Sequence, residues 1–546
     1  MAGSRLLSVG ALTIAVSALV GGVMGRNVAA SEDRLSEDER TFTAALNVIE
    51  TRYVDKVESD RLVYGAISGM LQTLDPHSNF MDPRAYAQLR ERQEGRYYGL
   101  GITISAVDGD ITVVSLFEGS PAYKQGIRRG DIIAKVNQRV PGVESEDAKG
   151  WTTEDAVQRL RGRKGTSVDV YLKRPGIEGL FKVTVERDEI TIPTIPAEFM
   201  LDAQTGYVRL QDFAENTDRD LGKALLDLHD KGMKRLLLDI RGNPGGPLDQ
   251  AIRVANRFLK KGDLIVYTRG RVPNSDADYR ATEESDYDTL PMIVIANRNS
   301  ASASEIVTGA LQDHDRALIV GETTFGKALV QSIYRVSQGA GLALTTAHYF
   351  TPSGRLIQRP WDSTFDEYLT YTLRDQDDSK PHDAKDLKYT DSGRRVYSGG
   401  GIEPDRRLDG PIEGFNPSKF GRMLYGRQTF AGFAQRFSVT GDTRPGTSGK
   451  DRRFVNADFV VDQAMVDDFK KYVTSSGVKI DPAGWDTDAA FVKAMIRYDI
   501  DLALFGVSSA RRHLLDLDPQ AQFALSLFKE AEQLTQLSRA KAARVQ

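Results

Sequence analysis

The chain has 546 residues and a net charge of −4, long enough for three or four domains and a sizeable core. Its acidic and basic residues are interspersed rather than clustered, which argues against a nucleic-acid partner. There is no cysteine; disulfides, thiol catalysis and thiolate metal sites are excluded, and the composition suits an oxidising compartment without requiring one.

Arg5 precedes an apolar run from Leu6 to Met24, and Val28-Ala29-Ala30 offers small residues for cleavage before Ser31. Residues 1–30 read as a signal peptide, or as an inner-membrane anchor if residues 6–24 are retained. Either reading puts the remainder in a bacterial periplasm. Residues 36–95 are expected to be helical: Phe42, Leu46 and Ile49 mark one apolar face, and Ala66, Ile67, Met70 and Leu71 another. Leu74 to Pro83 interrupts them with turn residues. Asp75 and His77 in that turn read as a capping arrangement rather than a catalytic or metal pair.

From Arg96 to Asp188 the pattern turns to strands. Tyr98-Gly-Leu-Gly-Ile-Thr-Ile104 opens it, followed by Ser120-Pro-Ala122, Gly130 to Asn137 and Val168 to Leu172, with a helix predicted over Glu154–Arg161. In this order the segments resemble a PDZ domain, over 96–188. The resemblance implies that Leu100, Gly101 and Ile102 form the loop whose backbone N–H groups hold a peptide's terminal carboxylate. The peptide would then pair as an added strand beside Ile102 to Ser105.

A second region, 189–409, reads as α/β. Arg235 to Ile240 is a buried strand running into Arg241-Gly-Asn-Pro-Gly-Gly246, with a helix expected from Pro247. The turn lacks the Gly-Lys-Ser/Thr of a nucleotide-binding loop. Leu290 to Asn297 is another apolar strand, and it leads into Asn299-Ser-Ala-Ser-Ala-Ser-Glu305 and a helical pattern through Ile306, Val307, Ala310 and Leu311. A serine on such a turn can be a capping box, with Ser302 as cap and Glu305 reaching back. From the tract alone the cap is the plainer reading; the other is a nucleophile, exposed beside unpaired N–H groups. Lys327 could serve as its base, and Gln331, four residues on, as a support for the amine.

Asn299 to Glu305, Leu311-Gln-Asp313, Val320 to Lys327 and Asp239 to Gly246 together resemble the carboxy-terminal processing (tail-specific) proteases, over about Ser36 to Asp405. That family comprises serine peptidases with a Ser/Lys dyad. The resemblance implies Ser302 as nucleophile, Lys327 as general base and Gln331 as its support. Ser300 and Ser304 are set aside, because the family's nucleophile stands as far before its lysine as Ser302 does before Lys327. An oxyanion hole of Ala303 with Gly245 or Gly246 is also implied, and the two glycines are not distinguished. The expected fold is a multidomain α/β chain: an α+β Ser/Lys protease core, an inserted mostly-β PDZ domain, and helical N- and C-terminal regions. No cofactor and no metal is expected; there is no His-Glu-x-x-His.

Within the core, Trp361 to Tyr397 is acidic and poor in apolar residues and reads as an insertion or exposed loop. His348 reads as a packed strand residue. Residues 410–546 read as a helical tail, interrupted over Thr440 to Lys450 and ending in a helix from Ala521 to Ala543, suited to docking on the core or to self-association. The expected partners are protein or peptide substrates bound by their C-termini, with a homo-oligomer and a regulatory partner left open. The rival readings are a Ser-His-Asp protease, disfavoured by the lack of Gly-x-Ser-x-Gly, and a non-catalytic PDZ adaptor, which has no use for Lys327.

Overall fold

The computed structural model describes residues 36–139, 144–174, 177–336, 339–361, 368, 372, 382–409, 417–440 and 452–545, the last seven by backbone alone. The expected targeting segment, residues 362–367 and the interruption after Thr440 lie outside the described residues. Among those described, no helix is long and apolar enough to cross a membrane.

Two compact units result. The smaller combines the chain up to Pro83 with Ile333–Leu344. It holds a helix over 36–52, a second at Ser59–Gln72 and the strand Asn79–Met81, which pairs antiparallel with Gly341–Ala343. The first helix is largely exposed, Phe42 at 45% and Ile49 at 41%. Asp75 builds the expected turn: its carboxylate accepts from the N–H of His77 and the N–H and hydroxyl of Ser78.

In the larger unit, the helical residues 84–94 lead to the PDZ-like domain. Arg96–Gly99 pairs antiparallel with Asp188–Thr191, so the domain's entry and exit strands meet, as an insertion requires. Its sheet runs Ile102–Val107, Asp110–Leu116, Ile132–Asn137, Ser167–Lys173, Phe181–Glu186 in spatial order, with Ile102–Val107 at one end. The helix spans Thr153–Leu160, one residue earlier at each end than predicted, because Thr152 forms a capping box with Asp155.

The protease-like core is a six-stranded sheet. Ala197–Met200, Thr205–Arg209, Arg235–Asp239, Met292–Ala296, Leu318–Gly321 and Arg406–Arg407 follow in spatial order, the first pair antiparallel and the rest parallel. Both faces of the middle strands are buried, which is why they read as unbroken apolar runs. Side chains alternate between the faces. Leu236, Leu238, Met292 and Val294 pack with the helices Leu248–Asn256 and Ala303–Asp313. Leu237, Ile293, Ile295 and Val320 pack with Leu515, Ala521, Ala524, Phe528 and Leu534 from the tail. The tail thus supplies the third layer of an α/β/α core.

Several expected boundaries shift. The helix after the glycine turn starts at Leu248, with Pro247 as its cap. The last predicted helix is two, Pro519–Ser526 and Phe528–Val545. Residues 419–440 and 452–504 form their own helical cluster around Phe420, Phe430, Phe433, Phe469 and Trp485, and Arg129 of the PDZ-like domain pairs with its Asp499. Residues 382–397 are not simply an exposed loop: Leu387–Tyr389 and Arg395–Tyr397 form a hairpin, and Arg394 binds Asp315 and Asp405, both at 2.6 Å. His348 is exposed on its strand; the strand's alternation turns its neighbour Tyr349 inward instead.

Candidate active site

Two strand-to-helix turns meet at the C-terminal ends of neighbouring parallel strands, Arg235–Asp239 and Met292–Ala296. The first carries Arg241 to Gly246 and the second Asn299 to Ser302. Asn243 joins them: its carbonyl accepts the N–H of Ala301 at 3.0 Å and the hydroxyl of Ser304 at 2.9 Å.

The three serines differ in what their hydroxyls do. Ser300 is fully buried and donates to the Ile240 carbonyl at 2.9 Å. Ser304 is fully buried and bound to Asn243. Both tie the serine turn to the glycine turn. Ser302 is half-buried and heads the helix Ala303–Asp313 at φ +55°, ψ −113°. Positive φ is uncommon for a residue with a Cβ, and such strain persists where the surroundings impose it. The arrangement is that of a capping box, with the Ser302 N–H donating to Glu305 Oε2 at 2.8 Å. Unlike the hydroxyls of Ser300 and Ser304, that of Ser302 donates to no acceptor among the described residues.

Glu305 is the residue that sequence reasoning undervalued. Its side chain is fully buried, and its carboxylate accepts four donors: the N–H of Ser302, the hydroxyl of Thr324 at 2.5 Å, and the N–H groups of Gly326 at 2.7 Å and Lys327 at 2.9 Å. Burial raises its pKa, while these donors pull it back. One carboxylate thus fixes the backbone of Ser302 against the backbone of Lys327. Tyr349 adds a second clamp, its hydroxyl reaching the Lys327 carbonyl at 2.6 Å and the Ser302 carbonyl at 3.2 Å. The spacing S-x-x-E was visible in the sequence, but it announced only a cap.

Lys327 is half-buried just before the strand Leu329–Arg335, and its Nζ donates to Gln331 Oε1 at 2.7 Å. The segment that delivers it is packed by Gly401, at φ +103°, where a Cβ would lie 2.3 Å from the Thr324 carbonyl oxygen. Only glycine fits so close an approach.

The two candidate oxyanion glycines separate by their contacts. Gly245, at φ +93°, lies against the serine turn: a Cβ there would be 2.8 Å from both Ser302 Cβ and the Ala303 nitrogen. Its N–H is already given to Asn243 Oδ1 at 2.9 Å. Gly246 points its Cα hydrogen at Phe213, where a Cβ would be 2.2 Å from the carbonyl oxygen. Among the described residues nothing accepts the N–H of Gly246 or of Ala303.

In the PDZ-like domain, a groove of about 340 Å³ is lined by Leu100, Ile102, Ile104, Phe117, Val157 and Leu160, among others. Leu100 is buried and Gly101 stands at φ +78°, where a Cβ would lie 2.2 Å from Ser120 Cβ. The groove runs between the end strand Ile102–Val107 and the helix Thr153–Leu160. Among the described residues, no group of three or more His, Cys, Asp or Glu side chains could hold a metal ion.

Comparison with known proteins agrees with these features. Residues 204–362 match peptidase family S41, residues 88–173 the PDZ domain, and residues 22–85 the N-terminal domain of the activating protease CtpB. The chain is 40% identical over 314 residues to a carboxy-terminal-processing protease of Bartonella bacilliformis, covering 57% of this chain and 70% of that relative. It is 36% identical over 316 residues to the carboxy-terminal processing protease CtpA of Bacillus subtilis, covering 58% and 66%. A solved photosystem II D1 C-terminal processing protease is 29% identical, covering 67% of this chain and 92% of that one, with a TM-score of 0.35. The chain belongs to the carboxy-terminal-processing proteases, serine-type peptidases of family S41.

Proposed function

We propose that this chain, exported through residues 1–30, selects proteins by their C-termini in its PDZ groove and cleaves them by a Ser302–Lys327 dyad. The observation that carries the reading is Ser302 itself: the one serine of its tract whose hydroxyl donates to no acceptor among the described residues, at a strained φ, on a turn that Gly245 meets at close range. Lys327 takes the hydroxyl proton, Ser302 attacks the peptide carbonyl, and the N–H groups of Ala303 and Gly246 hold the oxyanion; Gly245 shapes that turn. Lys327 then protonates the leaving amine, and water releases the acyl group. Gln331 aims the amine. Lys327 acts as base in its neutral form.

The test is digestion of a denatured protein by residues 31–546. Ser302→Ala and Lys327→Ala are each expected to abolish turnover in a folded protein, and the double variant to lose no more than either. Turnover by homogeneous Ser302→Ala would overturn the dyad. For tail selection, a free-acid peptide competes with its C-terminal amide. Hydrogen bonds to a charged group contribute about 1.5–3 kcal/mol, so the amide should be cleaved roughly ten- to a hundredfold more slowly. Equal rates would mean that the groove does not read the terminus.

A further inference from the structure

The glycine turn is held from a distant part of the chain. Arg241, its first residue, spans Asp239 on its own strand and two residues of the C-terminal tail. Its guanidinium donates to Asp239 Oδ1 at 3.0 Å and Oδ2 at 2.7 Å, to Asp518 Oδ2 at 2.7 Å, and to Gln520 Oε1 at 3.0 Å. All of these side chains are largely buried; Arg241 is 16% exposed, Asp518 11% and Asp239 3%. Burial opposes ionisation of Asp239, but the guanidinium groups of Arg241 and Arg209 hold its carboxyl well below the usual range. The Arg241 carbonyl accepts in turn from Arg209, and Gly242 donates to Asn297 Oδ1 at 2.8 Å. Two residues after Arg241 stands Asn243, which binds Ala301, Ser304 and Gly245.

Asp518 divides its two oxygens. Oδ1 caps the helix Pro519–Ser526, accepting from the N–H of Gln520 and Ala521; Oδ2 holds Arg241. Gln520 is anchored separately, donating to the Leu408 carbonyl at 2.9 Å. A cap alone needs neither a second oxygen nor a charge. A charge-assisted pair inside a low-dielectric site fixes geometry strongly, and because Arg241 also keeps Asp239 at 2.7 Å, loss of the Asp518 charge does not leave the guanidinium unpaired.

We infer that Asp518 and Gln520 are positioning residues for the oxyanion turn, so that the C-terminal tail completes the active site through Arg241. The inference rests on the Ser302 reading above. Neither residue touches the reacting atoms. They act by fixing Arg241, and through it the 242–246 backbone, whose Gly245 lies against Ser302 and Ala303.

Two variants of Asp518 separate the cap from the charge. Asp518→Asn keeps a capping oxygen but turns an NH2 toward Arg241; Asp518→Glu keeps the charge at longer reach and is a poorer cap. The pair is measured for kcat and KM on a peptide substrate, for melting temperature, and for the rate at which an organophosphorus probe labels Ser302. Expected for Asp518→Asn is a melting temperature near the parent's, an unchanged KM, and kcat and labelling rate down about tenfold. Asp518→Glu should melt lower and recover most of kcat. A folded Asp518→Asn with parental kcat and labelling, or a kcat that merely follows melting temperature across both variants, would overturn the inference. Ser302→Ala is run alongside. If it is inert while Asp518→Asn equals the parent, only this inference fails; if it turns over substrate, the dyad reading has failed first.

Discussion

The serine turn and the glycine turn are neighbours of similar shape, yet they are held in opposite ways. The serine turn has its main clamp within its own helix: Glu305, three residues past Ser302, gathers four donors and carries Lys327 with it. The glycine turn is fixed from outside, by Asp518 and Gln520 from a segment that also covers the far face of the sheet. A turn that presents a nucleophile needs its strain imposed locally. A turn that presents an N–H group needs only its backbone path fixed, and a distant side chain can do that.

The comparison can be broken most severely at the point of contact. Gly245→Ala puts a methyl group 2.7 Å from the Ala301 carbonyl oxygen and 2.8 Å from the Ala303 nitrogen, so the two turns must separate. Loss of one oxyanion donor costs about 100- to 1,000-fold in rate, and we expect kcat to fall in that range. Wild-type kcat in Gly245→Ala would show that the turns need not touch.

Glu305→Gln tests the internal clamp. The amide turns N–H groups toward donors it formerly satisfied, and each unsatisfied buried group costs about 1–3 kcal/mol. Both melting temperature and kcat should fall, kcat by about ten- to a hundredfold, in contrast to Asp518→Asn. A loss of kcat with no loss of stability would mean that Glu305 acts in the chemistry rather than as a clamp.

The smallest effect concerns a histidine outside both turns. His314 closes the C-terminal end of the Ser302 helix, its Nδ1 facing Asp391 Oδ2 at 2.8 Å and its Nε2 facing the Leu264 carbonyl at 2.7 Å. Two acceptors call for an imidazolium. Burial opposes that charge, but the Asp391 and Leu264 hydrogen bonds win and raise the pKa to about 9. A raised folded-state value contributes stability that is complete below the unfolded value of about 6.5 and is lost as pH climbs through about 9. Denaturant unfolding of parent and His314→Gln should therefore differ most near pH 6 and converge above pH 9. A constant difference would contradict the imidazolium.

This contrast also explains what the sequence could convey. Ser302, Glu305, Lys327 and Gln331 fall within thirty residues of one another, so spacing and the family motifs point to them together. The inserted domain is legible for the same reason, as its strands and turns follow in order. Glu305 was visible as a cap but not as a clamp, because three of its four donors come from Thr324, Gly326 and Lys327. Asp518 had no local signature at all: its role depends on residue 241, and only the folded chain brings them together. The tail's apolar spacing foretold helices but not their partner, since an amphipathic face does not say which surface it will cover.

The most direct test of the dyad is to trap the acyl-enzyme. A slowly deacylating peptide ester would be mixed with the enzyme, quenched in acid, and the adduct mapped by mass spectrometry after digestion. The account predicts one acyl group per chain, on Ser302, absent from Ser302→Ala and reduced to background in Lys327→Ala. An adduct on Ser300 or Ser304, or one that forms at the parental rate without Lys327, would contradict it.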